Sequence, residues 1–367
     1  MLSSDRKFLF QFGWDDFFEK QIPELDTSTQ FPARVISEER NLYRVQAGPD
    51  QIMLASISGK MQHGALTRAD YPAVGDWVMI EFTSESDRGI IQHIFQRKSI
   101  LHRKQVGETT DIQILSTNVD FVFVTTSVNS DLNYRRIERY LAMTRDGGST
   151  PIILLTKSDL CENDISKVIA DMEREFPDVP IHPLTKNDFN ATDFFADYLQ
   201  TGTTSVFVGS SGVGKSTLVN FLIGTEQIKT QDIREDDEKG RHTTTSRNLY
   251  VSRYGGLIID TPGMRELQLS DDQAEGVANQ FSDLEELMQT CRFSDCRHQT
   301  EPGCAIKEGI ASQSISKERW QSYQKLQAEV QHGMRKQNKG LQAENKKRWA
   351  KLTEEGRKNG KAKKGEF

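Results

Sequence analysis

A glycine-rich segment in the second half of the chain has the residue types and spacing of a phosphate-binding loop. It matches GxxxxGK[ST] and comprises Gly209, Ser210, Ser211, Gly212, Val213, Gly214, Lys215, Ser216 and Thr217. Glycines let the backbone curl around phosphates with its amide hydrogens pointing inward, and a following helix start adds positive potential. We expect Lys215 to reach the β- and γ-phosphates of a nucleotide and Ser216 to ligate magnesium. The apolar run at 206–208 favours this interpretation over a plain glycine-rich turn.

A second segment has the residues that read a guanine base. The motif [NT]KxD is matched by Thr156, Lys157, Ser158 and Asp159, directly after an apolar run at 152–155. A carboxylate at Asp159 can accept hydrogen bonds from the N1–H and the exocyclic amine of guanine, a donor pair that adenine lacks. We therefore expect Asp159 to select GTP over ATP and Lys157 to lie along the base. The segment 181–185, where a second base contact would fall, departs from the usual Ser-Ala pattern and stays unassigned.

Two more segments would complete a nucleotide site. Asp260 follows the apolar run 257–259, where a carboxylate would hold the magnesium shell, and the amide of Gly263 would sense the γ-phosphate. The sequence GRHTTT at 240–245 looks like a first switch that supplies a threonine to magnesium. Which of Thr243–Thr245 does so stays open.

The order of these segments is rotated. The base-reading segment begins about 50 residues before the phosphate loop, whereas in ordinary GTPases the phosphate loop comes first. This order predicts a circularly permuted GTPase. Met264 follows Gly263 where many GTPases carry a water-orienting glutamine, so another group must orient the attacking water. His242 is the nearest candidate for that catalytic role, and a plain loop position is its alternative.

Three cysteines and one histidine cluster near the C-terminus. Cys291, Cys296, His298 and Cys304 offer four soft ligands within 14 residues, which suits one tetrahedral zinc ion in a closed, structural site. The spacing is not that of a zinc finger. Clustered cysteines also indicate a reducing compartment rather than a disulfide framework.

The elements that must position these residues suggest a multidomain α/β protein. Five short β-like runs, at 33–36, 42–47, 52–57, 76–82 and 90–95, favour an OB-type barrel, although an SH3-like barrel or half-sandwich fits the pattern nearly as well. Buried, non-alternating runs around the nucleotide motifs indicate a doubly wound parallel sheet. The predicted units are an N-terminal extension at 1–30, a barrel at 31–100, a permuted GTPase domain at 107–270, a zinc-binding helical domain at 271–332 and a basic tail at 333–367.

Charge is unevenly distributed along the chain. The tail has 12 Lys/Arg and 4 Asp/Glu, a charge of +8. Because the whole chain has a net charge of −6, the other 332 residues carry −14. Such basic tails either bind nucleic acid or remain solvated, and both interpretations stay open here. The segment 97–104 reads as a basic linker. The chain has no run of 18 apolar residues and no signal-peptide pattern, so we expect no membrane contact.

Together, the motifs resemble those of the RsgA family, also called YjeQ or YloQ. The shared features are the order TKSD, GSSGVGKST, GRHTTT, DTPGM and Cys-x4-Cys-x-His-x5-Cys behind a five-strand barrel, over about 30–335. The resemblance implies a cytoplasmic, monomeric GTPase that acts late in maturation of the small (30S) ribosomal subunit, with 16S rRNA and GTP/GDP as partners. It also implies zinc, magnesium with GTP, and a part for His242 in hydrolysis. Thr156 replaces the commoner asparagine of the family.

Two other classes of function remain to be weighed. Met264 leaves room for an RNA-docking module that uses GTP mainly as a structural or slow-switch ligand. A P-loop kinase or ATPase is disfavoured by Asp159, because that carboxylate matches guanine rather than adenine.

Overall fold

The computed structural model describes residues 2–22, 29–39, 42–65, 67–82, 88–104, 112–128, 132–161, 164–185, 194–210, 212–224, 247–260 and 280–328. Several predicted features lie outside these described residues. They are Ser211, the first switch with His242 and Thr243–Thr245, the segment with Gly263 and Met264, and the basic tail at 333–367.

Five strands near the N-terminus close into a barrel. They are β1 (Gln30–Glu39), β2 (Leu42–Gly48), β3 (Gln51–Ile57), β4 (Trp77–Phe82) and β5 (Arg88–Ile94). The strand order is β1-β2-β3-β5-β4, and β4 pairs back onto β1. All pairs are antiparallel except β3 with β5, which is parallel. This closed five-stranded arrangement confirms the OB-type barrel and excludes the half-sandwich as the alternative fold. Alternate apolar residues, among them Val35, Val45 and Ile80, fill its interior.

Helices at the N-terminus seal the barrel against the rest of the molecule. Helices α1 (Leu2–Gln11) and α2 (Asp16–Glu19) flank Trp14, whose ring centroid lies 4.9 Å from that of Trp77 on the barrel. Arg34 of β1 is buried and donates hydrogen bonds to the carbonyl oxygens of Phe12, Gly75 and Asn118. The barrel therefore shares a fully buried cation with its neighbours. Helix α3 (Gly59–Gly64) lies between β3 and β4.

The segment interpreted as a basic linker, 97–104, is ordered and contains a strand. Arg97 forms an ion pair with Asp76, with N···O distances of 2.7 and 2.8 Å, and its side chain is only 11% exposed. Strand β6 (Ile100–Lys104) then pairs antiparallel with β7 (Ile112–Thr117). Distant partners thus engage a segment whose sequence indicated only a basic linker.

A mainly parallel sheet follows, with helices on both faces. Its strands are β8 (Phe121–Ser127), β9 (Thr150–Thr156), β10 (Ile181–Leu184), β11 (Thr204–Val208), β12 (Asn248–Val251) and β13 (Leu257–Asp260). The order is β10-β9-β8-β11-β13-β12, and only β12 is antiparallel to its neighbour within this sheet. Strand β12 also meets β1 of the barrel through the pair Ser37 and Asn248.

Successive residues of these strands pack into two separate hydrophobic cores, one on each face of the sheet. Val122 and Ile153 pack with α4 (Tyr134–Asp146) and α5 (Ile165–Glu175) on one face. Phe123 and Ile152 pack with α6 (Phe194–Tyr198) and α7 (Lys215–Ile223) on the other face. The doubly wound sheet predicted from the non-alternating apolar runs is therefore confirmed.

The C-terminal region is a small helical unit that packs on α4. It contains α8 (Ser282–Gln289), α9 (Ala305–Ala311) and a helical segment at 317–328. Its apolar core holds Phe281, Leu284, Ile306 and Trp320, and Ala142 of α4 belongs to the same cluster. Across the described ranges, every helix is too short or too polar to cross a lipid bilayer.

Candidate nucleotide site and metal centre

Three of the predicted nucleotide segments begin at the same edge of the sheet. Strands β9, β11 and β13 run parallel through the order β9-β8-β11-β13, so their carboxyl ends lie at the same edge. Thr156 is the last residue of β9, Val208 that of β11 and Asp260 that of β13. Ligands of open α/β sheets bind outside the carboxyl ends of the strands. The topology therefore brings the base segment, the phosphate loop and Asp260 to the edge where a nucleotide would bind.

The phosphate loop has a backbone that only glycine adopts freely. Gly209 has φ 143° and Gly214 has φ 97°, both in the region that side chains disfavour. A β-carbon at Gly209 would lie 2.0 Å from the carbonyl oxygen of Thr125 on β8. Gly212 also has a positive φ, of 79°. The glycine spacing noted in the sequence thus matches positions where the chain turns tightly against the sheet.

The helix that follows the loop starts at its lysine. Gly214 is the N-cap residue of α7, so the first free amides of the helix face the loop and favour an anion there. Ser216 is half-buried and Thr217 is exposed on the first turn, while Val213 is buried. A phosphate bound by the loop would therefore meet backbone amides together with hydroxyl-bearing side chains.

Two opposite charges lie close together beside the loop. The Lys215 ammonium donates hydrogen bonds to the carbonyl oxygens of Gly209, at 2.6 Å, and of Ser210. Burial raises the pKa of the Asp260 carboxyl, and the charge on Lys215 opposes that rise. A cation that can bind phosphate oxygens thus sits beside a carboxylate that can join a magnesium shell.

The base segment is tied to the phosphate loop by Thr156. Its side chain is buried, and its hydroxyl lies 2.8 Å from the carbonyl oxygen of Val213 and 3.0 Å from that of Thr126. This donor therefore faces the loop backbone and holds the two segments together. Asparagine, the commoner residue at this point of the motif, also carries a donor, which explains why threonine is tolerated.

The rest of the base segment reaches the surface. Lys157 has φ 56°, in the left-handed region, and a single 3₁₀ turn at Ser158–Leu160 follows it. Asp159 is exposed, whereas Ser158 and Lys157 are half-buried. The turn leaves the Asp159 carboxylate accessible to a base bound at this edge.

One contact to the loop was not foreseen from the sequence. Arg136 of α4 donates a hydrogen bond to the hydroxyl of Ser210. The only local signal is Asn133, which caps α4 by accepting from the Arg136 amide at 3.1 Å and so sets where the helix begins. That signal indicates a helix start, and it carries no information about the loop.

The predicted metal ligands come together in the C-terminal unit. The ligand atoms of Cys291, Cys296, His298 and Cys304 all lie within 4.8 Å of one another. The imidazole Nδ1 is 3.6 Å from the sulfur of Cys291 and 3.5 Å from that of Cys304. With Zn–N at about 2.0 Å and Zn–S at about 2.3 Å, a tetrahedral zinc ion places a nitrogen and a sulfur ligand roughly 3.5 Å apart. The donor set and its spacing therefore fit such an ion.

The loop around these ligands is held by hydrogen bonds from its backbone amides to one glutamate side chain. The Glu301 carboxylate accepts hydrogen bonds from the backbone amides of Arg297, Gln299 and Thr300. Bonds from backbone amides, its own first among them, lower the pKa of Glu301 to about 2. His298 has φ 59°, and its ring meets Trp320 edge-on with centroids 5.4 Å apart. These contacts fix the orientation of the imidazole within the loop.

The fold and the rotated order of segments define a circularly permuted P-loop GTPase. A family model described as RsgA GTPase matches residues 94–270. The small ribosomal subunit biogenesis GTPase RsgA 1 of Oceanobacillus iheyensis is 39% identical, over 93% of this chain and 97% of that protein. The RsgA of Opitutus terrae is 38% identical over 94% and 95% of the two chains. The protein therefore belongs to the RsgA GTPase family, whose members are GTP hydrolases.

Solved structures agree with the fold. The crystal structure of YjeQ from Thermotoga maritima superposes with a TM-score of 0.60 at 24% identity, over 82% of this chain and 98% of that chain. The structure of YloQ, a circularly permuted GTPase, gives a TM-score of 0.59 at 22% identity, over 84% and 98%. Both similarities support the architecture of barrel, permuted domain and C-terminal helices.

Proposed function

We propose that the protein hydrolyses GTP during late maturation of the small (30S) ribosomal subunit, in the cytoplasm, and that the subunit stimulates hydrolysis. The observation that carries the proposal is the convergence of the base segment, the phosphate loop and Asp260 at one sheet edge. Relatives that match over more than nine-tenths of the chain bear the name of small ribosomal subunit biogenesis GTPase.

Each described residue has a distinct part in this proposal. Asp159 accepts from the guanine edge, and Lys157 lies along the base. Lys215 and the first amides of α7 bind the β- and γ-phosphates, because they supply the positive potential there. Ser216 and Asp260 hold magnesium, which neutralises charge on the phosphates when it is bound. Thr156 positions the base segment rather than touching the nucleotide, because its hydroxyl faces Val213.

The remaining roles fall on residues outside the described part of the chain. We assign the γ-phosphate contact to the Gly263 amide and loop contacts to Ser211. Orientation of the attacking water falls to His242, since Met264 has no hydrogen-bonding group strong enough for that task. The magnesium threonine is one of Thr243–Thr245.

The cysteine and histidine cluster holds zinc for structure rather than for chemistry. Four protein ligands leave no open position for substrate, which is the mark of a structural site. The ion would anchor the loop between α8 and α9, and hence the apolar core that packs on Ala142. Zinc thus fixes the surface that the C-terminal unit presents to the GTPase domain.

The proposed partner is 16S rRNA within the subunit. The first 332 residues carry −14, so binding to a polyanion needs a local cation-rich surface, and the +8 tail can supply it. We take the working form to be a monomer, bound to GTP or GDP.

The experiment that tests the proposal compares GTP turnover alone, with small subunits, with large subunits and with free RNA. Specific stimulation by small subunits is the expected result. Equal and slow turnover in all four conditions, with GTP still bound, would favour the RNA-docking module, for which Met264 is the supporting observation.

A further inference from the structure

Helix α4 contacts both the phosphate loop and the C-terminal unit. Ile137 and Leu141 on one face pack in the core of the parallel sheet. A second face, formed by Glu138, Ala142 and Arg145 at helical spacing, meets the C-terminal unit. Arg136 leaves the helix toward the phosphate loop. One rigid element therefore joins the nucleotide edge to the unit that carries the metal ligands.

At the loop end, Arg136 contacts a residue that also accepts a hydrogen bond from the phosphate-binding lysine, Lys215. The half-buried guanidinium of Arg136 donates to the Ser210 hydroxyl, and the Ser210 carbonyl oxygen accepts from the Lys215 ammonium. Displacing Arg136 would thus shift the same peptide unit that the lysine holds. Bonds to a charged donor are roughly twice as strong as neutral ones, so this contact can bias the loop.

At the other end, one contact is buried and a second is half-buried. The Glu138 carboxylate is 1% exposed and accepts a hydrogen bond from the Ser322 hydroxyl. Arg145 donates to the side-chain oxygen of Gln280 at 2.5 Å. A buried polar group that loses its partner is left desolvated and unpaired, which costs free energy, so these contacts resist sliding of the C-terminal unit along α4.

A second arginine locks the same unit in place. Arg319 is 4% exposed, pairs with Asp283 at 2.8 Å and donates to the carbonyl oxygen of Glu175 on α5 at 2.6 Å. Ser316 adds a hydrogen bond to the Glu175 carboxylate at 3.2 Å. The C-terminal unit is thus fixed on two adjacent helices of the GTPase sheet, and its position is defined relative to α4.

We propose that α4 transmits the position of the C-terminal unit to the phosphate loop, and that Arg136 is the positioning residue through which it acts. Arg136 and Glu138 are two residues apart, a rise of about 3 Å along the helix, so the helix cannot move at one without moving at the other. The inference rests on the proposed binding of GTP. It adds that the C-terminal unit controls nucleotide affinity from the face of the helix opposite the loop.

The first test is a double-mutant cycle between the two ends of the path. Ser322→Ala removes the donor to Glu138 and touches no nucleotide segment. In the full-length protein it should weaken binding of a fluorescent GTP analogue by about fivefold. In the Arg136→Met background the same change should have no further effect. Additive effects of the two substitutions would overturn the proposal.

The second test isolates the contact with the loop. Arg136→Met and Ser210→Ala should each weaken GTP binding, and the double variant should be no worse than either single one. Arg136→Lys, which keeps a donor and the charge, should restore part of the affinity. Arg174→Met, at an exposed arginine of the neighbouring helix α5, is the control and should bind GTP as the parent does.

The outcomes separate this inference from the proposed function. A parent protein that fails to bind GTP would refute the proposed function itself. GTP binding in the parent with independent effects at Arg136, Ser210 and Ser322 would refute only the path through α4. Unfolding midpoints of all variants are measured alongside, and the Arg136→Lys arm carries the test if Arg136→Met unfolds.

Discussion

Replacing Thr156 with valine should loosen the contact between the base segment and the phosphate loop. Valine keeps the branched shape but loses the hydroxyl that faces the carbonyl oxygens of Val213 and Thr126, at 2.8 and 3.0 Å. One hydroxyl proton is shared by two acceptors, so a single net hydrogen bond is lost. The site is buried, and an unpaired buried acceptor costs about 1–3 kcal/mol of unfolding free energy. If about 1 kcal/mol of that cost falls on the arrangement that binds nucleotide, GTP affinity falls about fivefold.

The assay pairs urea unfolding with titration of a fluorescent GTP analogue. Ser149→Ala is the control, because Ser149 is also buried, donates to a carbonyl oxygen at 2.8 Å and lies beside the opposite end of β9. It should lower stability without changing GTP affinity. The reasoning is refuted if Thr156→Val binds GTP as tightly as the parent, or if both variants lose affinity in proportion to their stability.

Three further predictions concern the metal, a buried acid and the tail. The purified protein should hold about one zinc ion per chain, and Cys296→Ser should release it while GTP still binds; elemental analysis without zinc in the parent would contradict this. Burial, opposed by Ser322 and Arg319, raises the pKa of Glu138 from 4.5 to about 7. The folded state therefore holds the extra proton, and stability falls as pH rises between those values, by about 3 kcal/mol in full. Glu138→Gln should thus be more stable than the parent at pH 8, with the gap closing toward pH 5 in urea unfolding, and an equal gap at both pH values would refute the assignment. Deleting 336–367 should flatten the slope of log affinity for small subunits against log salt by about 4, if the tail covers about six phosphates; an unaltered slope would instead indicate a solvated tail.

Short-range patterns in the sequence predicted individual strands of the barrel. The runs at 42–47 and 52–57 became strands β2 and β3, because β-branched alternation and turn residues act within a few positions. The closure of the barrel through β1 with β4 and the parallel pairing of β3 with β5 depend on distant segments. Periodicity could therefore not separate an OB-type barrel from its rivals.

The same distinction applies to the candidate site. Motifs of a few residues identified the loop, the base segment and the metal ligands, since each chemistry needs its groups at short spacing. The contacts that hold these segments join residues 57, 74 and 184 positions apart, for Thr156 with Val213, Arg136 with Ser210 and Ser322 with Glu138. For Arg97, a partner 21 positions away makes a residue of the expected basic linker a half-buried member of an ion pair. Such pairs follow from topology, and composition contains no record of them.

Nucleotide selectivity of the parent and of Asp159→Asn tests most directly that this sheet edge reads guanine. Affinities for GTP, ATP and xanthosine triphosphate are measured for both proteins by competition against one fluorescent nucleotide. The parent should prefer GTP strongly. In the variant, the amide should face the guanine amine donor unfavourably but donate to the carbonyl oxygen that xanthine carries there, so preference should move to xanthosine triphosphate. Equal binding of ATP and GTP by the parent, or unchanged GTP affinity in Asp159→Asn, would contradict the account.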